Sequence, residues 1–133
     1  VPPGGRGEFE KKLKAWRIRK IMAIVEGGRE RIDSTRRALK AVPESFQWIA
    51  IHDGARAFVS PALVERCFES AKKTGAAILA VPSKDTIKVV GNSRIIRETI
   101  PRKQCWAAQT PQVFRRDIAE TYPRFAARLA AVG

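Results

Sequence analysis

Hydrophobic positions along the chain fall into short blocks of two periods. Phe9, Leu13 and Trp16 recur at helical spacing and predict a helix over residues 8–16. Ala38, Leu39 and Val42 do the same within residues 33–42, and Pro43 closes that segment. Ser60-Pro61 joins a capping side chain to a proline at the first helical position, which predicts a helix from there to about residue 73, ahead of Gly75. Compact apolar runs at 21–25, 48–51 and 76–81 read as strands, stopped by Gly27-Gly28, His52-Asp53-Gly54 and Pro82 respectively. Strand, helix, strand, helix, strand is the order of an α/β fold. It predicts right-handed crossovers and a mainly parallel sheet with helices on both faces.

The pattern changes after Pro82. Residues 86–90 and 94–99 are two β-like runs around Gly91-Asn92-Ser93, which reads as a hairpin turn. A lone two-stranded hairpin is marginal in water and needs something to pack on, so a partner subunit is its natural support. Residues 114–119 and 125–132 read as helices with Pro123 between them. Val1-Pro2-Pro3 reads as the last residue of a strand running into a loop, and no internal repeat is visible. A length of 133 residues suits one domain, here expected to be a single partial one.

Composition excludes more than it assigns. No apolar run approaches the roughly 20 residues of a membrane span, and the first residues lack the basic and apolar regions of a signal peptide. Cys67 and Cys105 form no CxxC pair and His52 is the only histidine, so a zinc site is not expected and a reducing cytoplasm is the default compartment. A net charge of +13 raises the question of nucleic acid. Because the cations are spread from Arg6 to Arg128, the reading preferred here is a solvated basic surface, part of it serving small phosphorylated ligands.

Ligands of open parallel sheets sit at the carboxyl ends of the strands. Three polar clusters lie at such ends, at residues 27–34, 52–56 and 84–88, and are expected to converge on one cleft. Gly27-Gly28 permits close backbone approach and Ser34 offers a hydroxyl, although a simple capped turn explains both equally well. Asp53 is placed to hold Mg²⁺ between phosphates, and Arg56 to clamp a phosphate, unless the two merely pair with each other. His52 is expected to pack beside the sheet rather than act as a base. Thr86 and Lys88 offer a hydroxyl and a cation, and Arg102 a further anion contact.

Taken together the clusters resemble a known family. Gly27-Gly28, Arg31 and Ser34 match a GGxxRxxS segment, and Ile51-His52-Asp53-Gly54-Ala55-Arg56 resembles an HD[GA]AR signature. Asp85-Thr86-Ile87-Lys88 is similar to DTxK, and Arg102, Trp106 and Gln109-Thr110-Pro111-Gln112-Val113-Phe114 to R…W…QTPQxF. This ordered set is that of the 2-C-methyl-D-erythritol 4-phosphate cytidylyltransferases. The resemblance implies a Rossmann-like nucleotidyltransferase fold and transfer of CMP from CTP to methylerythritol phosphate, releasing pyrophosphate, in non-mevalonate isoprenoid synthesis. It implies Mg²⁺ as cofactor and a cytoplasmic homodimer with neither nucleic acid nor membrane as partner.

The resemblance also assigns roles. Gly28, the Arg29 backbone and Ser34 would contact cytosine; Asp53 and Gly54 would sit at the nucleotide, Asp53 also at the metal. Arg56 and Thr86, with Asp53 and Arg102, would hold methylerythritol phosphate. Arg102, counted with Asp53 as catalytic, would reach across from a partner subunit on an arm at about residues 84–106. Ala57 stands where the family has proline. The family's glycine-rich loop, with its Arg and Lys, does not precede Val1, and a later Lys is not found before Gly133. The expectation is therefore a portion inactive by itself, since phosphoryl transfer depends on positioned cations. The alternatives weighed are a ribitol phosphate cytidylyltransferase, a basic nucleic-acid-binding module and a non-catalytic dimerisation fragment.

Overall fold

The structure is a computed structural model that describes residues 1–121 and 130–132. In chain order its elements are α1 (Arg6–Ala15), α2 (Arg31–Lys40), β1 (Trp48–Ile51), α3 (Pro61–Thr74), β2 (Ala76–Pro82), β3 (Lys88–Val90), β4 (Ile96–Thr99), a 3₁₀ turn (Arg102–Gln104), β5 (Trp106–Arg115), α4 (Arg116–Glu120) and β6 (Ala130–Val132). Helix α3 follows its local signals closely. The Ser60 hydroxyl accepts from the Leu63 amide, Pro61 opens the first turn, and Gly75 closes the helix in the left-handed region at φ 86°. A side chain at Gly75 would be strained by that φ and would also meet Ile118.

Strands β1, β5, β2 and β6 form one sheet in that order. β5 runs antiparallel to both β1 and β2, whereas β2 and β6 are parallel, so three of the four strands share one direction. The sheet is α/β and mixed. Helix α3 covers one face, where Cys67 and Ala71 pack on Ala77, Leu79 and Val113. On the other face Leu39 of α2 and Ala119 and Ile118 of α4 pack with Ile49, Ala76 and Phe114. The two sets alternate along each strand, as the period-two pleat requires. Burial pushes the Cys67 thiol pKa up, so this cysteine serves as a small apolar core residue.

Three expectations need correction. Residues 114–119 are not one helix: Phe114 and Arg115 end the long strand β5, and helix begins at Arg116. Pro111 hides that strand from a sequence reading, because a proline cannot donate to a ladder. The structure absorbs it with a register break, Ile78 facing Gln112 but Ala80 facing Ala108. Residues 130–132 form β6 beside β2 rather than the end of a helix, and the rest of that expected helix lies outside the described residues. Residues 21–25 form no strand. They bridge to Val1, whose amino group donates to the Val25 carbonyl at 3.0 Å and whose carbonyl accepts from the Gly27 amide. A cavity of about 500 Å³, lined by Ile21, Met22, Val25, Trp48 and Ile49 among others, lies between this segment and β1.

The hairpin forms as expected. β3 and β4 make a separate two-stranded sheet with every residue exposed, and the Ile100 amide bonds the Ile87 carbonyl to extend the pairing. Arg94 turns the chain at φ 58°.

Candidate functional site

At the carboxyl end of β1 the backbone leaves the sheet through His52 and Asp53. The imidazole Nε2 of His52 donates to the Arg56 carbonyl at 3.0 Å, which closes the loop and gives the ring a structural task. The Asp53 amide donates to the hydroxyl of Thr110, a residue only 5% exposed. Thr110 sits in the register break of β5, so the irregularity that accommodates Pro111 also presents Thr110 to this loop. Gln109, beside it, accepts from Arg56 Nη1. Sequence reasoning assigned no role to Gln109 or Thr110. Their signal was available only as part of the QTPQ string.

The Asp53 carboxylate is held on both sides. Arg31 Nη2 lies 3.3 Å from Oδ1 and Arg56 Nε lies 3.5 Å from Oδ2. All three side chains are about half exposed, so these pairs add little to stability but fix how the carboxylate is presented. The Asp53–Arg56 pairing that the sequence left open is present, and Arg31 joins it.

Across from this loop stands the turn into α2. The Gly28 amide donates to the Ser34 hydroxyl at 3.0 Å, and that hydroxyl donates to the Glu30 carbonyl at 3.2 Å. The Glu30 amide is taken by Asp33, and Arg37 Nη1 donates to the Gly27 carbonyl at 2.7 Å. Both glycines are sterically required. A Cβ on Gly27 would lie 2.7 Å from Ser34 Oγ, and one on Gly28 would lie 2.2 Å from Asp33 Cβ. The close approach in this structure is thus of the loop to its own helix. Arg29 is exposed at the turn, and Gly54 has open space where a side chain would go.

Gly27, Gly28, Arg31, Ser34, His52 and Asp53 line one cavity of about 690 Å³, with Val25, Leu39 and Ile49 among its apolar walls. That size and mixed lining suit a small organic ligand with a charged end. Two of the three clusters therefore converge. The third does not line this cavity: Thr86 accepts from Arg102 Nη2 at 3.1 Å, at the base of the hairpin, and Lys88 Nζ is spent on Thr99 within it. Arg56 faces a second hollow, of about 420 Å³, with Ala55, Val59, Leu63 and Gln109. Among the described residues no group of three or more His, Cys, Asp or Glu side chains could form a metal site by itself. No helix among them is long and apolar enough to cross a membrane.

A mixed α/β sheet covered on both faces, with a carboxylate and guanidinium groups gathered where β1 ends, is a Rossmann-like nucleotidyltransferase arrangement. Solved structures agree. The 4-diphosphocytidyl-2C-methyl-D-erythritol synthase of Anaerococcus prevotii matches with a TM-score of 0.79 at 27% identity, over 90% of this chain and 52% of that one. The 2-C-methyl-D-erythritol 4-phosphate cytidylyltransferase of Francisella tularensis matches at 0.63 and 34%, over 77% and 50%. The chain belongs to the 2-C-methyl-D-erythritol 4-phosphate cytidylyltransferase (IspD) family, whose model matches residues 1–130. The enzyme of that name from Syntrophus aciditrophicus is 47% identical over 112 residues, 84% of this chain and 48% of the relative. That from Alkaliphilus oremlandii is 43% identical over 125 residues, 92% and 53%. The chain spans about half the length of the curated relatives it matches.

Proposed function

We propose that these residues bind and position the reactants of a 2-C-methyl-D-erythritol 4-phosphate cytidylyltransferase. In that reaction a phosphate oxygen of methylerythritol phosphate attacks the α-phosphorus of CTP. The new P–O bond forms as the bond to the β-phosphate breaks, and pyrophosphate leaves. The observation that carries the reading is the cavity walled by Gly27, Gly28 and Ser34 on one side and Asp53 on the other, in a chain of this family.

The roles follow from the chemistry of each group. Backbone at Gly28, Arg29 and Gly54 and the hydroxyl of Ser34 recognise the nucleoside. Asp53, a single carboxylate at the cavity rim, fits Mg²⁺ carried in on CTP, since Mg²⁺ is commonly held by one or two carboxylates together with substrate phosphates. The metal would neutralise charge on the phosphates. Arg56 and the Thr86–Arg102 pair supply a fork and a hydroxyl for the acceptor phosphate. Because Thr86 and Arg102 lie at the hairpin base and not in the Asp53 cavity, the acceptor site is completed in a homodimer by the arm of a second copy. The protein works in the cytoplasm on small molecules, not on nucleic acid or membrane.

Calorimetric titration of the chain with CTP and Mg²⁺, with GTP as control, tests this. Selective CTP binding, weakened by about tenfold or more in Asp53→Ala, is expected from the loss of one charged ligand. Equal affinity for GTP overturns the nucleotide assignment. Competition by ribitol phosphate, but not methylerythritol phosphate, would move the acceptor to the other polyol.

A further inference from the structure

Arg31 enters none of these roles, yet it stands between both walls of the cavity. It belongs to the first turn of α2, and its guanidinium crosses to Asp53, twenty-two positions later in the chain, at the exit of β1. We infer that Arg31 is a positioning residue of the nucleotide cavity, setting the spacing of its two walls and the orientation of the Asp53 carboxylate. The inference rests on the nucleotide reading above and deepens it.

Three observations support it. First, the ion pair joins the Gly27–Gly28 wall to the His52–Asp53 wall directly, and all of these residues line the same cavity. Second, the two oxygens of Asp53 are divided between Arg31 and Arg56, and the Asp53 amide is fixed on Thr110. Removing Arg31 thus leaves the Asp53 amide on Thr110 and Oδ2 on Arg56, and releases Oδ1. Third, Arg31 places a guanidinium among the cavity's lining residues beside Asp53, favourable to a polyphosphate. A half-exposed pair of this kind adds little to folding, so its effect is expected in ligand binding rather than in stability.

Arg31→Met and Arg31→Lys, measured beside the parent chain, decide the matter. Arg31→Met is expected to weaken CTP binding about tenfold, the scale of one charge-assisted contact, with an unchanged melting temperature. Its half-saturating Mg²⁺ concentration at fixed CTP is expected to rise, because the metal would enter on CTP and the Asp53 carboxylate is no longer oriented from the α2 side. Arg31→Lys is expected to restore most of the affinity, since it keeps a cation opposite Asp53 Oδ1. Parent-like CTP binding by Arg31→Met overturns the inference. So does a loss of affinity matched by a fall in melting temperature in both variants, or an unmoved Mg²⁺ midpoint. Failure of the parent to prefer CTP over GTP is a separate result. It overturns the nucleotide reading itself, and the inference with it.

Discussion

The centre of the sheet and the hairpin are built from similar residues with opposite results. In β5, Val113 and Phe114 are completely buried, sandwiched between α3 on one face and α2 with α4 on the other. In the hairpin, Val90 and Ile96 face each other across the ladder and each is 56% exposed. Both segments carry residues that favour strands, Val, Ile and Thr in the hairpin and Val, Thr, Trp and Phe in β5. That preference describes fit to a pleated, half-covered surface, and only the first segment has its cover. The hairpin is a strand pair whose apolar faces await a neighbour, which agrees with its proposed place in a dimer.

The comparison can be broken most severely at Phe114. Phe114→Ala empties the apolar layer between the sheet and α2 and α4, and is expected to cost about 3–5 kcal/mol. A small mesophilic domain has only about 5–15 kcal/mol in total, so denaturant unfolding should show the loss clearly. A near-neutral result would mean that the sheet centre is not the core.

The hairpin should respond in the opposite sense. Val90→Thr with Ile96→Thr keeps strand propensity and removes apolar surface, so each chain's own stability should change by no more than about 0.5 kcal/mol. Sedimentation should instead show the proposed homodimer dissociating. A large drop in monomer stability with no change in association would show that the hairpin packs on its own body.

The smallest effect lies at the edge of the body, where α4 begins. Arg115 bonds Asp117 through Nε and Nη2, and this holds the Asp117 carboxyl below its ordinary value. A depressed carboxylate pKa stabilises the fold above its unfolded value. That contribution is lost as pH falls through the lowered native value. Asp117→Asn should therefore lower the melting temperature slightly at neutral pH, where the pair contributes, and converge with the parent at low pH, which makes the acid limb shallower. An identical acid limb in the variant would remove the pair from the account of stability.

Much of the fold was legible because its signals are local. Ser60, Pro61 and Gly75 specify α3 by capping chemistry within a single turn at each end, and residues 76–81 announce β2 by an unbroken apolar run. Ordered motifs carried the family, and with it Asp53, Arg56 and Ser34. Two clusters did meet in one cavity, whereas Thr86 and Arg102 found each other at the hairpin base instead. Residues 21–25 failed as a strand for a reason outside their own sequence, since strand structure exists only when a ladder partner lies alongside.

By itself, then, the sequence determined where α3 begins and ends, which segments are apolar enough for the interior, and which family the motifs belong to. Only the tertiary structure decided that β5 inserts antiparallel between β1 and β2, that a register break around Pro111 carries Thr110 to Asp53, and that Arg31 spans two walls of one cavity. The physical reason is range. Caps and helical periodicity act within about four residues, whereas ladders and ion pairs join groups whose separation along the chain has no fixed value until the chain has folded.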